Sequence, residues 1–135
     1  MRQFAFSLGR SGRWLPAVAL CLLAAVPAGA EPHAVAVLQT LDKVTARVNT
    51  IEVRVGTTVR FGTLLIRVTH CDKRPPEETP ESTAFLEIAE QRPGEQPVLT
   101  FAGWMFASSP ALNALEHPVY DVWVLDCKER IQPEN

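Results

Sequence analysis

Acidic residues are absent from the first thirty positions of this chain, and cysteine occurs only three times in 135 residues. No aspartate or glutamate accompanies Arg2, Arg10 and Arg13, which makes a basic front ahead of the apolar run Trp14 to Val26. Pro27 ends that run, and Ala28-Gly29-Ala30 is a small-x-small site of the kind a signal peptidase accepts. The run is too short for a membrane span, which takes about 20 apolar residues. Residues 1–30 are therefore expected to be a cleaved secretory signal, cut between Ala30 and Glu31, with no stable span after processing. Acylation at Cys21 is the alternative. Against it, the preceding residue is Leu20 where lipoprotein signals want a small side chain, and the apolar run continues past Cys21.

The chain also lacks an excess of positive charge. Its formal net charge is −2, and the leader holds three of the 13 Lys+Arg and none of the 15 Asp+Glu. The mature part of about 105 residues then carries ten basic against fifteen acidic groups, about −5. No basic patch is long enough for a nucleic-acid footprint, so DNA and RNA are not expected partners. An acidic surface also disfavours adsorption to anionic lipid.

Cys-x-x-Cys and Gly-x-Ser-x-Gly are both missing. Without Cys21 the mature chain keeps Cys71 and Cys127, and a pair in an oxidising compartment reads as one disulfide. A metal site at Cys71 would need His70, the adjacent residue, and then His33 or His117 to complete it. Adjacent residues rarely ligate one ion, so no metal and no cofactor is expected.

What is present is strand signal. Val44, Ala46 and Val48 share one parity, and Ile51, Val53 and Val55 share the other. A two-residue turn at Asn49-Thr50 would explain the switch by setting Val48 opposite Ile51. A second alternation pairs Phe61 with Leu64 and Val59 with Ile66 about Gly62-Thr63, leaving Arg54, Arg60 and Arg67 outward. Gly56 marks a bend between the two hairpins of one meander, and Glu31 to Thr40 reads as a loose arm or an edge strand. Residues 72–82 hold three prolines and six charges, a solvated loop. Strands follow over 84–90, 98–107 and 119–127, with a Pro-Gly turn in 91–97. Ser109-Pro110 looks like a helix start, opening a short helix over 110–116 that His117-Pro118 ends.

The strands 98–107 and 119–127 are apolar on both parities, so something must cover their second face. The short helix, the arm or a partner are the candidates. Phe101 and Trp123 are expected in the core; Trp104 or Phe106, with Tyr120 beside His117, is expected to lie partly exposed. Trp104, Phe106, His117, Tyr120 and Asp121 are accordingly the candidate partner-binding residues. Ser108, Ser109, His117, Asp121 and Asp126 also contain the letters of a hydrolase triad. Each has a duller role as cap, helix stop or strand flank, and no catalytic residue is assigned. Glu77, Glu78 and Glu81 read as a solvated face rather than an acid–base pair.

The two cysteines, "RPPEETPE", "FGTL", "GWMFASSPALNALEHPVYDVWVLDC" and the leader together resemble the bacterial envelope family catalogued as domain of unknown function 2155, from about Val37 to Cys127. The resemblance implies a secreted single-domain protein of Gram-negative bacteria and brings no activity, cofactor or catalytic residue with it. The expectation is thus one all-β domain over 31–135, a small antiparallel sandwich or partly open barrel of six to eight strands with one short helix. Its expected place is the periplasm, and its expected role is non-catalytic binding of an envelope protein, or of a cell-wall or outer-membrane component, through residues 103–121. The rival readings are a small periplasmic hydrolase using Ser109, His117 and Asp121, and a purely structural envelope protein.

Overall fold

The computed structural model describes residues 29–131 together with Gly9 and Gly12. The expected leader up to Ala28, those two glycines excepted, lies outside the described residues, and Cys21 with it. Eight strands follow: β1 (Glu31–Pro32), β2 (Val35–Asp42), β3 (Arg47–Arg54), β4 (Thr58–Phe61), β5 (Leu64–Lys73), β6 (Ser82–Glu90), β7 (Val98–Phe106) and β8 (Tyr120–Lys128). They form two antiparallel sheets packed as a sandwich. The large sheet runs β1-β5-β6-β7 with β4 also on β5, and the small one runs β3-β2-β8. All-β was expected; of the two forms considered, the sandwich is the one adopted.

The core lies between the sheets and is built from inward-facing alternate residues. Leu64, Ile66 and Val68 of β5 and Ala84, Leu86 and Ile88 of β6 are buried on one side. Ala36 and Leu38 of β2, Val53 of β3, and Val122 and Val124 of β8 are buried on the other. Cys71 of β5 and Cys127 of β8 are joined across this layer with Cα atoms 5.7 Å apart. The disulfide therefore bolts one sheet to the other.

The hairpin at Gly62 has the expected register, Phe61 opposite Leu64 and Val59 opposite Ile66. Gly62 takes φ 57° and Tyr120 lies over it: a Cβ there would sit 2.3 Å from the Tyr120 hydroxyl. The expected hairpin at Asn49-Thr50 does not form. Those residues sit mid-strand in β3, whose partner is β2, with Asp42 opposite Arg47 and Val35 opposite Arg54. The turn falls instead at residues 43–46. The N–H groups of Val44 and Thr45 donate to Asp42 Oδ1 at 2.9 and 3.1 Å, and Ala46 adopts φ 56°. That side-chain turn outcompetes Asn-Thr because the segment read as an arm is a full strand, hydrogen-bonded on both sides. Val44 and Val48 consequently face solvent. The single meander is also divided, since β3 and β4 belong to different sheets and the chain crosses between them at Gly56, φ 86°.

The expected helix over 110–116 shrinks to one 3-10 turn, Pro110–Leu112, without a side-chain cap from Ser109. Leu112 is exposed and only Leu115 enters the core. The segment between β7 and β8 is nonetheless anchored. Asn113 Nδ2 donates to Trp104 O at 2.9 Å, and the amide lies where a Cβ on Gly103 would be. His117 Nδ1 accepts the N–H groups of Val119 and Tyr120 at 3.0 and 3.1 Å, which turns the chain into β8.

Candidate functional site

Trp104 sits on the outer face of the large sheet, where strand pairing builds a row across three strands. His70 of β5 is opposite Phe85 of β6, and Phe85 is opposite Trp104 of β7. Phe85 meets Trp104 edge-on, with centroids 5.5 Å apart and planes at 81°, the favoured geometry for an aromatic pair. His70 lies 5.8 Å from the indole and its Nδ1 is 3.2 Å from Thr69 Oγ1. A bulge at Thr69 is what turns His70 outward while Val68 and Cys71 both point in. Trp104 stays 38% exposed, and Phe106 on the same face is partly exposed. Neither is buried under the chain's own helix or arm. Phe101 and Met105 point the other way and pack with the core.

The five residues expected to form one surface fall into two groups. Trp104 and Phe106 belong to the sheet face. His117, Tyr120 and Asp121 gather at the start of β8 around Lys43, whose Nζ donates to His117 O at 2.7 Å and pairs with Asp121 Oδ1 at 3.2 Å. Tyr120 stacks on His117 at 5.3 Å and meets Phe61 edge-on at 5.2 Å, so its ring is packed against the core. The expected core residue Trp123 lies on the outer face of the small sheet beside Gln39, because its neighbours Val122 and Val124 take the inward positions. Sequence reading missed His70 and Phe85. Phe85 sits on the outward parity of "AFLEIAE", but nothing in the sequence says which strands flank it.

The triad letters are dispersed. His117 is buried, with Nδ1 used by two backbone donors and Nε2 3.3 Å from Glu90 Oε1. That last contact lies outside hydrogen-bond geometry, leaving Nε2 without a directed partner. The His117 ring beside Glu90, with Arg92, holds the Glu90 carboxyl below the usual carboxylate range. The Ser109 N–H donates to Phe106 O at 3.2 Å, and Asp121 is paired with Lys43. No hydrogen bond joins Ser109, His117 and Asp121 among the described residues.

Ser108 and Asp126 have structural partners instead. Ser108 gives its N–H and its hydroxyl to the Glu81 carboxylate, which also accepts the Ser82 N–H. Partial burial pushes the Glu81 carboxyl up, but these bonds and the charge of Arg74 bring it below its ordinary value. Glu81 is thus a clamp between the start of β6 and the end of β7 rather than a solvated group. Asp126 is treated alike: burial raises it, and Lys73 at 2.8 Å, the Cys127 N–H and Ser82 Oγ more than reverse this.

A cleft of about 570 Å³ opens at the disulfide end, lined by His33, Lys73, Arg74, Pro75, Glu78 and Lys128 among others. Lys73 is paired with Asp126 and Lys128 with Glu52, so these two cations are already neutralised. Cys71 and Cys127 are bonded to each other, which removes the thiolates a metal site would need. Among the described residues no helix is long and apolar enough to cross a membrane.

Comparison with known proteins gives two matches of limited reach. The uncharacterized protein RP359 of Rickettsia prowazekii (strain Madrid E) is 33% identical over 87 residues, 64% of this chain and 56% of that protein. The chain therefore spans little more than half the length of that relative. No solved structure matches. A family model described as "Uncharacterized protein conserved in bacteria (DUF2155)" matches residues 36–127, from the second residue of β2 to the second cysteine of the disulfide. That span takes in the disulfide and, but for a residue at either end, every strand except β1, and the chain belongs to this bacterial family.

Proposed function

We propose that this protein is an exported, non-catalytic module of the bacterial cell envelope that docks an envelope protein or component on the outer face of its large sheet. One observation carries the reading: the Trp104–Phe85–His70 row, with Phe106 beside it, is left partly uncovered by the described residues. A partly exposed tryptophan held by two neighbouring rings is the kind of anchor that dominates binding energy at interfaces. The basic leader and the inter-sheet disulfide support export to the periplasm. His117, Tyr120 and Asp121 serve this reading as the buttress that fixes the entry to β8.

The test is crosslinking in cells followed by recovery of the tagged protein and mass spectrometry. Trp104→Ala should keep the melting temperature within a few degrees and abolish recovery of the bound component. Undiminished recovery by the folded variant would overturn the reading.

A further inference from the structure

We infer that the outer face of the large sheet is a carbohydrate-binding platform that takes a short run of uncharged sugar rings. The inference rests on the reading of that face as the docking surface and names the class of ligand. It begins from the row next to the aromatic one. There Arg67 of β5 stands opposite Glu87 of β6, and Glu87 stands opposite Ala102 of β7. Arg67 and Glu87 face each other across two paired strands, yet they form no ion pair with one another or with any other described residue. One head group only donates hydrogen bonds and the other only accepts them. A sugar hydroxyl does both, so the pair suits a rim of hydroxyls. Opposite charges in one row disfavour a polyanion or a polycation and suit a neutral ligand.

The aromatic row supplies the other half of sugar recognition, a flat π surface for the apolar C–H face of a pyranose. Phe85 and His70 both pack against the indole, so less side-chain freedom is lost on binding. Ala102 is exposed and ends at its Cβ, which leaves a step on β7 between Trp104 and the 63% exposed Leu99. A ring seated on that step touches the indole on one side and reaches Glu87 on the other.

The disulfide-bonded protein should co-sediment with purified insoluble peptidoglycan sacculi and bind the soluble N-acetylglucosamine tetramer in calorimetry. Trp104→Ala and Arg67→Ala, each checked for folding by circular dichroism, should weaken binding about tenfold or more. Trp123→Ala, on the outer face of the other sheet, should leave it unchanged. Arg67 is exposed on the sheet surface, so its variant serves if Trp104→Ala fails to fold. Binding to both probes identifies the sugar ring as the unit recognised; binding to sacculi alone, with the same variant pattern, locates the ligand in the cell wall. Absence of binding to either probe, or equal binding by the wild type and both variants, overturns the carbohydrate inference. Crosslinked recovery of a protein that is lost in Trp104→Ala would then still support the docking face, and its loss as well would remove both.

Discussion

Ala46 and Gly62 both adopt positive φ at hairpin turns, and their surroundings make opposite demands. Ala46 adopts φ 56° in the turn capped by Asp42, where a Cβ is crowded against the backbone. Ala46→Gly should relieve that strain and raise stability by about 0.5–1 kcal/mol, partly offset by the freer unfolded chain. Gly62 has a similar φ of 57° with the Tyr120 ring directly over it. Gly62→Ala adds both backbone strain and a clash, and should cost about 1–3 kcal/mol. Urea unfolding of the two variants beside the wild type checks the pair, and a change of the same sign in both would contradict this account. Neither position is distinguishable by composition; what separates them is the phenol packed over one and solvent beside the other.

Strand β5 carries more than its share of the architecture. It pairs with β4, β1 and β6, and through Cys71 it is bonded to β8 of the other sheet. The two cysteines are 56 residues apart, so in the chain-entropy model closure of that loop contributes about 4 kcal/mol. Because the bond crosses between layers, its loss frees the sheets to slide as well as lengthening the unfolded chain. Cys127→Ser should lower stability by about 2–5 kcal/mol. Differential scanning calorimetry of the variant and of the reduced wild type would show it; melting temperatures equal to that of the oxidised protein would refute it. The segment between β7 and β8 behaves as an anchored strap. Its fixed points are Ser108 on Glu81, Asn113 on Trp104 O, Leu115 in the core and His117 under Lys43.

Over the whole molecule, several carboxylates are held below their ordinary values, and their partners tie separate elements together. Hydrogen bonds from the Thr45 and Val44 N–H groups outweigh a small burial cost at Asp42, which fixes the β2–β3 turn. The His117 ring lowers Glu90 and joins the strap to β6. For Glu81 and Asp126, burial works against ionisation, and hydrogen bonds with nearby cations more than compensate. A carboxylate whose folded value is depressed stabilises the fold above its unfolded value and loses that contribution as pH falls through the folded one. Stability should therefore be nearly flat for these groups above about pH 4.5 and decline below it. Glu81→Gln with Asp126→Asn should make the decline shallower and lower the plateau. Chemical unfolding from pH 3 to 7 would measure both, and an acid limb with unchanged slope in the double variant would rule the assignment out.

The sequence by itself determined the strands from residue 58 onward, most of their punctuation and the disulfide partners. Alternation over 58–68, the Gly62 turn, the Pro-Gly turn near Gly94 and the long strands over 98–107 and 119–127 are local properties. Period-two patterning and turn chemistry encode them within a few residues. Tertiary structure decided which strand lies beside which, and therefore which face is buried. The segment 31–40 has weak local signal, yet Val35–Asp42 becomes the centre of the small sheet, because β3 and β8 both need a partner and pairing energy comes from neighbours. That placement moved the turn from Asn49-Thr50 to Asp42 and set Val48 outside. It also decided the fate of the two strands that are apolar on both parities. Trp123 and Trp104 occupy outward positions on two different sheets, and only Trp104 finds Phe85 and His70 from adjacent strands beside it. A row that runs across strands has no counterpart along the chain: its members are 15 and 19 residues apart in sequence and become neighbours only through the hydrogen-bonded register of the sheet.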